Sequence, residues 1–415
     1  MVPPPRATDD PAALDAADPL ATFRSRFVVP DEDVVYLDGN SLGRPPAAAV
    51  DRLTTVAREE WAGELIRGWD HWLEAPRHVG DLLGTGLLGA AVDEVAICDS
   101  TTVDFYRLAS AALGARPDRR FILTDRANFP TDRYVLEGLA RDRDREIAWL
   151  DPDPIEGPTT DDVASALAAH PGDVALVTLS HVNYRSAAIA DLGAITALAH
   201  EAGALVLWDL SHSAGSVPVD LDDHDVDLAV GCTYKYLNGG PGAPAYLYIR
   251  RDLQAALRNP IQGWFGQAEQ FEMGQGFRPR PGIGGWLTGT PGILGLVAAE
   301  EGIRLSVEAG IGAIRSKGIA LTEYAIALHD AWLAPLGFSL GSPRPGARRG
   351  SHVSIRRSDA RALTRRMIEA GVIPDFRAPD SIRIGLSPLT TSFRDVARGL
   401  ANLRDLAAAA GPPAD

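Results

Sequence analysis

The chain has 415 residues, 46% apolar and 23% charged, which is ordinary for a folded protein and long enough for a large domain and a smaller one. Its 40 Lys and Arg against 55 Asp and Glu leave a formal charge of −15, which opposes nucleic acid and anionic membrane, since phosphate contacts need clustered cations. The two cysteines, Cys98 and Cys232, both lie in apolar runs, so a disulfide scaffold is excluded and a reducing compartment is favoured.

Residues 1–50 read as an N-terminal arm and a segment joining the small domain. The first ~30 residues are dominated by prolines and acids, a loose arm with one short helix. Met1–Asp10 lacks the apolar stretch of a signal peptide, and no apolar run reaches membrane length, so a cytoplasmic location is expected. Segment 34–37 (Val-Val-Tyr-Leu) is strand-like and packs with the small domain or bridges the two.

Residues 51–290 form the expected large domain. Its strand candidates are Val95–Cys98, Arg120–Thr124, Glu146–Leu150, Val174–Leu179, Ala204–Trp208, Leu228–Gly231 and Ala245–Ile249. Most are apolar on both faces, as strands of a covered parallel sheet must be. Helical stretches such as Asp191–Ala202 lie between them. The alternation predicts an α/β class, a three-layer α/β/α domain with a mainly parallel sheet. From 291 to 415 the character changes. Leu294–Ala334 reads as long helices, and 351–355 and 381–385 as strands around a helix at Asp359–Ala370, giving a smaller α+β domain.

Ligands of open α/β sheets bind at the carboxyl ends of the strands. Asp209 follows one strand there, and a carboxylate in that place can keep a ring nitrogen protonated. Lys235 follows the next strand and can reach the same ligand's aldehyde. Thr101 and Thr102 open a helix and offer N–H groups and hydroxyls to a phosphate. Phe129 can stack on an aromatic ring. Singly, each has an ordinary explanation: a cap, a solvated lysine, a core phenylalanine. Together at one sheet edge they meet the needs of pyridoxal phosphate.

The strings around these residues carry a resemblance. Gly231-Cys232-Thr233-Tyr234-Lys235-Tyr236-Leu237-Asn238-Gly239-Gly240-Pro241-Gly242 resembles the cofactor-lysine segment of kynureninases. Trp208-Asp209-Leu210-Ser211-His212 is similar to their aspartate segment. Asn128-Phe129-Pro130-Thr131-Asp132, Leu179-Ser180-His181-Val182-Asn183-Tyr184, Gly263-Trp264-Phe265-Gly266 and Leu37-Asp38-Gly39-Asn40-Ser41-Leu42-Gly43 extend the likeness over about 36–395. It implies the fold-type I, class V aminotransferase-like group, and hydrolysis of the β–γ carbon bond of L-kynurenine, or its 3-hydroxy form, in tryptophan breakdown or NAD biosynthesis.

By position, the resemblance makes Lys235 the imine lysine and proton carrier, and Asp209 the partner of the ring nitrogen. Phe129 stacks on the ring and Asp132 lies in its polar network. Thr101, Thr102 and Tyr234 contact the phosphate, and Tyr234 also moves a proton at the substrate carbonyl. Ser180 and His212 line the cofactor. Trp264 and Thr290 reach the neighbouring subunit's cofactor, which implies a homodimer. Arg383 clamps the substrate α-carboxylate, while Trp69 and Ser41 line its aromatic ring. Trp69 with Thr290 looks like the bacterial pattern, which suggests kynurenine over the 3-hydroxy form.

Other readings compete. Gly84-Thr85-Gly86-Leu87-Leu88-Gly89 matches a dinucleotide glycine pattern but precedes a strand instead of following one. Gly39-Asn40-Ser41-Leu42-Gly43 matches a nucleophile elbow of serine hydrolases, yet Arg44-Pro45-Pro46 interrupts the helix it requires. A cysteine desulfurase needs a cysteine beyond the lysine, and none follows Cys232. A class V aminotransferase is the nearest alternative. His71, His78, His200 and His224 show no metal spacing. Arg344, Arg348 and Arg349 read as a solvated loop, one that could close near the substrate.

Overall fold

A computed structural model describes residues 4–412. β1 (Val35–Tyr36) precedes the large sheet, whose strands are β2 (Val95–Cys98), β3 (Phe121–Asp125), β4 (Glu146–Leu150), β5 (Val174–Ser180), β6 (Leu205–Asp209), β7 (Leu228–Cys232) and β8 (Ala245–Ile249). They form one seven-stranded sheet in the order β2-β8-β7-β6-β5-β3-β4. Neighbours from β4 across to β7 are parallel, whereas β8 is antiparallel to both β7 and β2. The reason lies in the connection. Residues 233–244 hold glycines and no crossover helix, with Gly240 and Gly242 at φ +87° and +75°, so the chain doubles back.

Successive side chains of each strand face opposite sides, and both sides are apolar. Ile97, Val177, Val206 and Trp208 enter one core; Ala96, Leu176, Leu207 and Val230 enter the other, with Phe105, Leu108 and Leu136 of the covering helices. Helix Ile293–Ala309 adds Leu296 and Ile303 to the first core, so the packing of the large domain extends past residue 290.

The smaller α+β unit contains β9 (Ser339–Leu340), β10 (His352–Arg356), β11 (Val372–Ile373), β12 (Asp375–Arg377) and β13 (Ser381–Gly385). Val35, Leu37, Val353, Ile355, Ile382, Ile384 and Leu400 share its core, and β1 pairs in parallel with β11. The 34–37 segment therefore belongs to the small domain.

Two expectations need correction. Of the arm expected over the first 30 residues, 1–3 lie outside the described residues, and 4–30 are not loose. Asp18 meets Lys317 at 2.6 Å in a buried ion pair, Asp15 accepts from the backbone of Phe393 at 2.7 Å, and Arg24 reaches Asp395. Arg349 is not solvated. It is fully buried and bonds Glu323 and the carbonyls of Pro343 and Arg344, which offset the cost of burying a guanidinium, while its Nε stays unpartnered. Arg344 pairs with Asp330 and Arg348 reaches the Glu156 carbonyl, so this loop is fastened. Among the described residues no helix is long and apolar enough to cross a membrane.

Candidate active site

Asp209 ends β6 and is held there from both sides. Its Oδ1 accepts from the Ser211 backbone at 2.8 Å, a local turn that orients the carboxylate. Ser180 stands opposite in register at the end of β5, its Oγ 3.3 Å from Asp209 Oδ2 and 2.7 Å from Asn128 Oδ1. One hydroxyl proton serves one of these acceptors at a time.

Lys235 sits in the turn after β7. Its Nζ lies 3.4 Å from His212 Nδ1, 5.8 Å from the centroid of Phe129 and 6.0 Å from that of Tyr234. The turn is backed by Gly43, whose N–H donates to the Tyr234 carbonyl at 2.8 Å. A Cβ on Gly43 would overlap the Lys235 carbonyl oxygen and the Asn238 amide, so only glycine fits. Phe129 also meets Tyr184 edge-on, with centroids 5.3 Å apart.

Burial, then the charge of Asp209, pushes the Asp132 carboxyl well above its usual range, against the pull of Lys235. Asp132 is thereby a candidate donor, and its Oδ2 has no partner. Burial and the cations Lys235, Arg383 and Arg377 hold His212 well below the ordinary imidazole range, so its ring is neutral. The neighbouring Cys232 sulfur, with burial, raises the Tyr234 hydroxyl, which keeps its proton. Thr101 and Thr102 open the helix Thr101–Gly114 behind Ser100, with free N–H groups at its start.

Arg383, on β13, is buried and already engaged. It donates to the Tyr184 carbonyl at 2.6 Å and to Ser41 Oγ at 2.7 Å, and its ion pair with Asp375 is also 2.7 Å. The Asn40 amide oxygen lies 2.9 Å from Arg383 Nε when its nitrogen faces Asp38. Ser41 Oγ accepts from Arg383 and its hydroxyl faces Asp38, and among the described residues no histidine bonds it, so a serine–histidine pair is not formed there. The 84–89 glycines continue the helix Ala75–Leu83, so no phosphate turn forms there.

Trp69, Trp264 and Thr290 make no hydrogen bond or ring contact with Lys235, Asp209 or Phe129 among the described residues. Trp69 packs edge-on against Trp72 and Phe265 beside an apolar hollow with Trp61, Leu65, Ile66 and Leu294. Trp264 is 42% exposed against Phe265 and Phe271, and exposed Thr290 lies in a hollow with Asp99 and Gly242. Cys98 and Cys232 are buried free thiols. Cys98, Asp99 and Asp104 come together, but the Arg107 guanidinium bonds all three, so the cation there is the side chain itself.

Sequence reasoning missed Asn128 as a partner of Ser180, Asp375 as a partner of Arg383, and His352, whose ring is 5.6 Å from that of His212. Asn128 stands in the Asn128-Phe129-Pro130-Thr131-Asp132 string. Asp375 and His352 lie on strands of the small domain, and no local spacing ties them to the large one.

An amine, a strand-end carboxylate, a ring face and the unpartnered Asp132 Oδ2 lie together at one sheet edge, and a helix opens at Thr101. That donor set suits an aldehyde-bearing, phosphorylated heterocycle. A family model described as Aminotransferase class-V matches residues 85–356, and one described as Kynureninase C-terminal domain matches 314–403. A curated relative from Pseudomonas fluorescens named Kynureninase is 42% identical over 396 residues, covering 94% of this chain and 92% of that one. The apo cysteine desulfurase of Thermococcus onnurineus NA1 superposes with a TM-score of 0.78 at 17% identity, covering 91% of this chain and 95% of that one. A C-DES mutant with glycine covalently linked to its PLP cofactor gives 0.76 at 18%, covering 91% and 100%. These structures establish the fold-type I architecture; the sequence match over nearly the whole length goes further, and the chain belongs to the kynureninase family.

Proposed function

We propose that this chain, with pyridoxal phosphate on Lys235, hydrolyses the β–γ carbon bond of L-kynurenine to anthranilate and L-alanine. The observation that carries it is the Lys235 amine beside His212 and the Phe129 face, at the sheet edge where Asp209 ends β6. When bound, the cofactor supplies an electron sink for the carbon next to the substrate nitrogen.

The chain's own groups do the rest. Asp209, oriented by Ser211 and Ser180, lies against the ring nitrogen and keeps its proton there. Phe129 packs on the ring, His212 lines it, and neutral Asp132 donates within the same network. Thr101, Thr102 and Tyr234 hold the phosphate. Lys235 carries the proton of the substrate α-carbon, and protonated Tyr234 offers one at the carbonyl. Arg383 receives the α-carboxylate in competition with Asp375, beside Ser41.

Trp264 and Thr290 complete the neighbouring subunit's site in a homodimer, and Trp69 lines the aromatic end of the substrate. Exposure of Trp264 and Thr290 supports that reading. The protein works in the cytoplasm. Purified protein given L-kynurenine should develop blue anthranilate fluorescence and release alanine, and should turn over 3-hydroxykynurenine more slowly. A class V aminotransferase would consume an amino acid and a keto acid without anthranilate, and that outcome would displace the proposal.

A further inference from the structure

Beside Lys235, three buried ring nitrogens have no hydrogen-bond partner: His212 Nε2 and both nitrogens of His352. The two rings meet across the domains. His212 lies in the turn after β6, and His352 opens β10 opposite Gly385 in register with β13. Their centroids are 5.6 Å apart with the planes tilted by 57°. His352 is fully buried and His212 is 5% exposed.

A neutral imidazole carries one proton, and its place decides what the other nitrogen can do. His212 Nδ1 faces the Lys235 amine at 3.4 Å. For Nδ1 to accept from that amine, the His212 proton must sit on Nε2. There it needs an acceptor, because a buried N–H without one costs the full desolvation of the group. The His352 imidazole, its centroid 5.6 Å away, also lacks partners and can accept.

Its surroundings keep the pair uncharged. Burial, then Arg383, Lys235 and Arg377, holds His352 well below the ordinary imidazole range, with the Arg185 backbone pulling weakly the other way. The same cations and His352 itself act on His212. The nearby acids act on the neighbouring cations: Asp209 and Asp132 lie with Lys235, and Asp38, Asp375 and Tyr236 with Arg383.

We infer that His352 is a positioning residue acting through His212. One bridging water accepts from His212 Nε2–H and donates to a bare nitrogen of His352. This holds the His212 lone pair on Nδ1 toward the Lys235 amine and keeps that amine aimed at the cofactor aldehyde. Buried polar nitrogens without protein partners are the groups that buried water serves. The inference rests on Lys235 being the cofactor lysine.

The test is the rate at which the apo chain regains its yellow absorbance when pyridoxal phosphate is added. His352→Leu should slow capture about tenfold, the loss of one well-placed hydrogen bond. His352→Gln, which keeps a donor and an acceptor, should restore most of it; a merely structural residue would show no such rescue. Nitrogen-15 histidine spectra of the parent apo chain, with His212 assigned by its loss in His212→Gln, should give a neutral ring protonated at Nε2. An Nδ1-protonated or charged His212 overturns the inference even if His352→Leu does not fold. So does a folded His352→Leu variant that captures cofactor at the parent rate, or a His352→Gln variant as slow as His352→Leu. If borohydride traps no adduct on Lys235 in the parent, the reading of Lys235 fails instead.

Discussion

Ser180 and Asp209 are register partners on adjacent parallel strands, and Ser180 Oγ lies 3.3 Å from Asp209 Oδ2. The carboxylate is thus set by the sheet ladder and by the Ser211 N–H.

Asp209→Asn keeps the shape of this site and removes its charge. A lost charge-assisted hydrogen bond is worth about 1.5–3 kcal/mol, so kcat/KM should fall on the order of 100-fold. Cofactor affinity should weaken with it, while the thermal midpoint stays near the parent value. Steady-state kinetics and cofactor titration check this, and an unchanged kcat/KM would remove Asp209 from the proposed role.

Arg383 and Asp375 are ion-paired at 2.7 Å in register across β12 and β13. Arg383→Lys loses the planar fork and should raise KM for kynurenine more than it lowers kcat, about 100-fold in kcat/KM. Asp375→Asn removes the competing carboxylate but also a support of the arginine. Its KM should move far less than that of Arg383→Lys, as initial-rate measurements will decide.

Gly302 packs its helix onto the Lys235 turn, where a Cβ would overlap the Leu237 carbonyl oxygen. Gly302→Ala must push the turn away. It should cost on the order of 2 kcal/mol in denaturant unfolding, with faster cofactor loss on dialysis.

The fold was legible where strands are apolar on both faces, and less so at their ends. Val95–Cys98, Glu146–Leu150 and Ala245–Ile249 have the expected bounds. Four other strands run one residue further, to Asp125, Ser180, Asp209 and Cys232, because ladder hydrogen bonds do not depend on side-chain polarity. The same polar endings made the site readable, since Asp209 ends, and Lys235 and Phe129 follow, strands that align in one sheet. Arg383 was readable by its motif, but Asp375 and His352 reach it and His212 through pairing of β10, β12 and β13, which local pattern does not encode.

Burial pushes the Asp38 carboxyl up to about 6, with Asp375 adding to it and Ser41 and Arg383 opposing. The folded chain therefore holds this proton more tightly than the unfolded chain. The stability it contributes is fully present below the unfolded value of 3.8 and is lost as pH rises through about 6. Asp38→Asn should flatten that part of the pH–stability curve by on the order of 2 kcal/mol, read by denaturant unfolding from pH ~4 to ~7. An identical slope in the variant would show that Asp38 titrates normally.

The most direct measurement is reduction of the cofactor-loaded protein with borohydride, followed by peptide mass spectrometry. The predicted result is a pyridoxyl adduct on Lys235 alone, with anthranilate production abolished by the same treatment and absent in Lys235→Ala. An adduct on another lysine, or kynurenine turnover that survives in Lys235→Ala, would contradict the account.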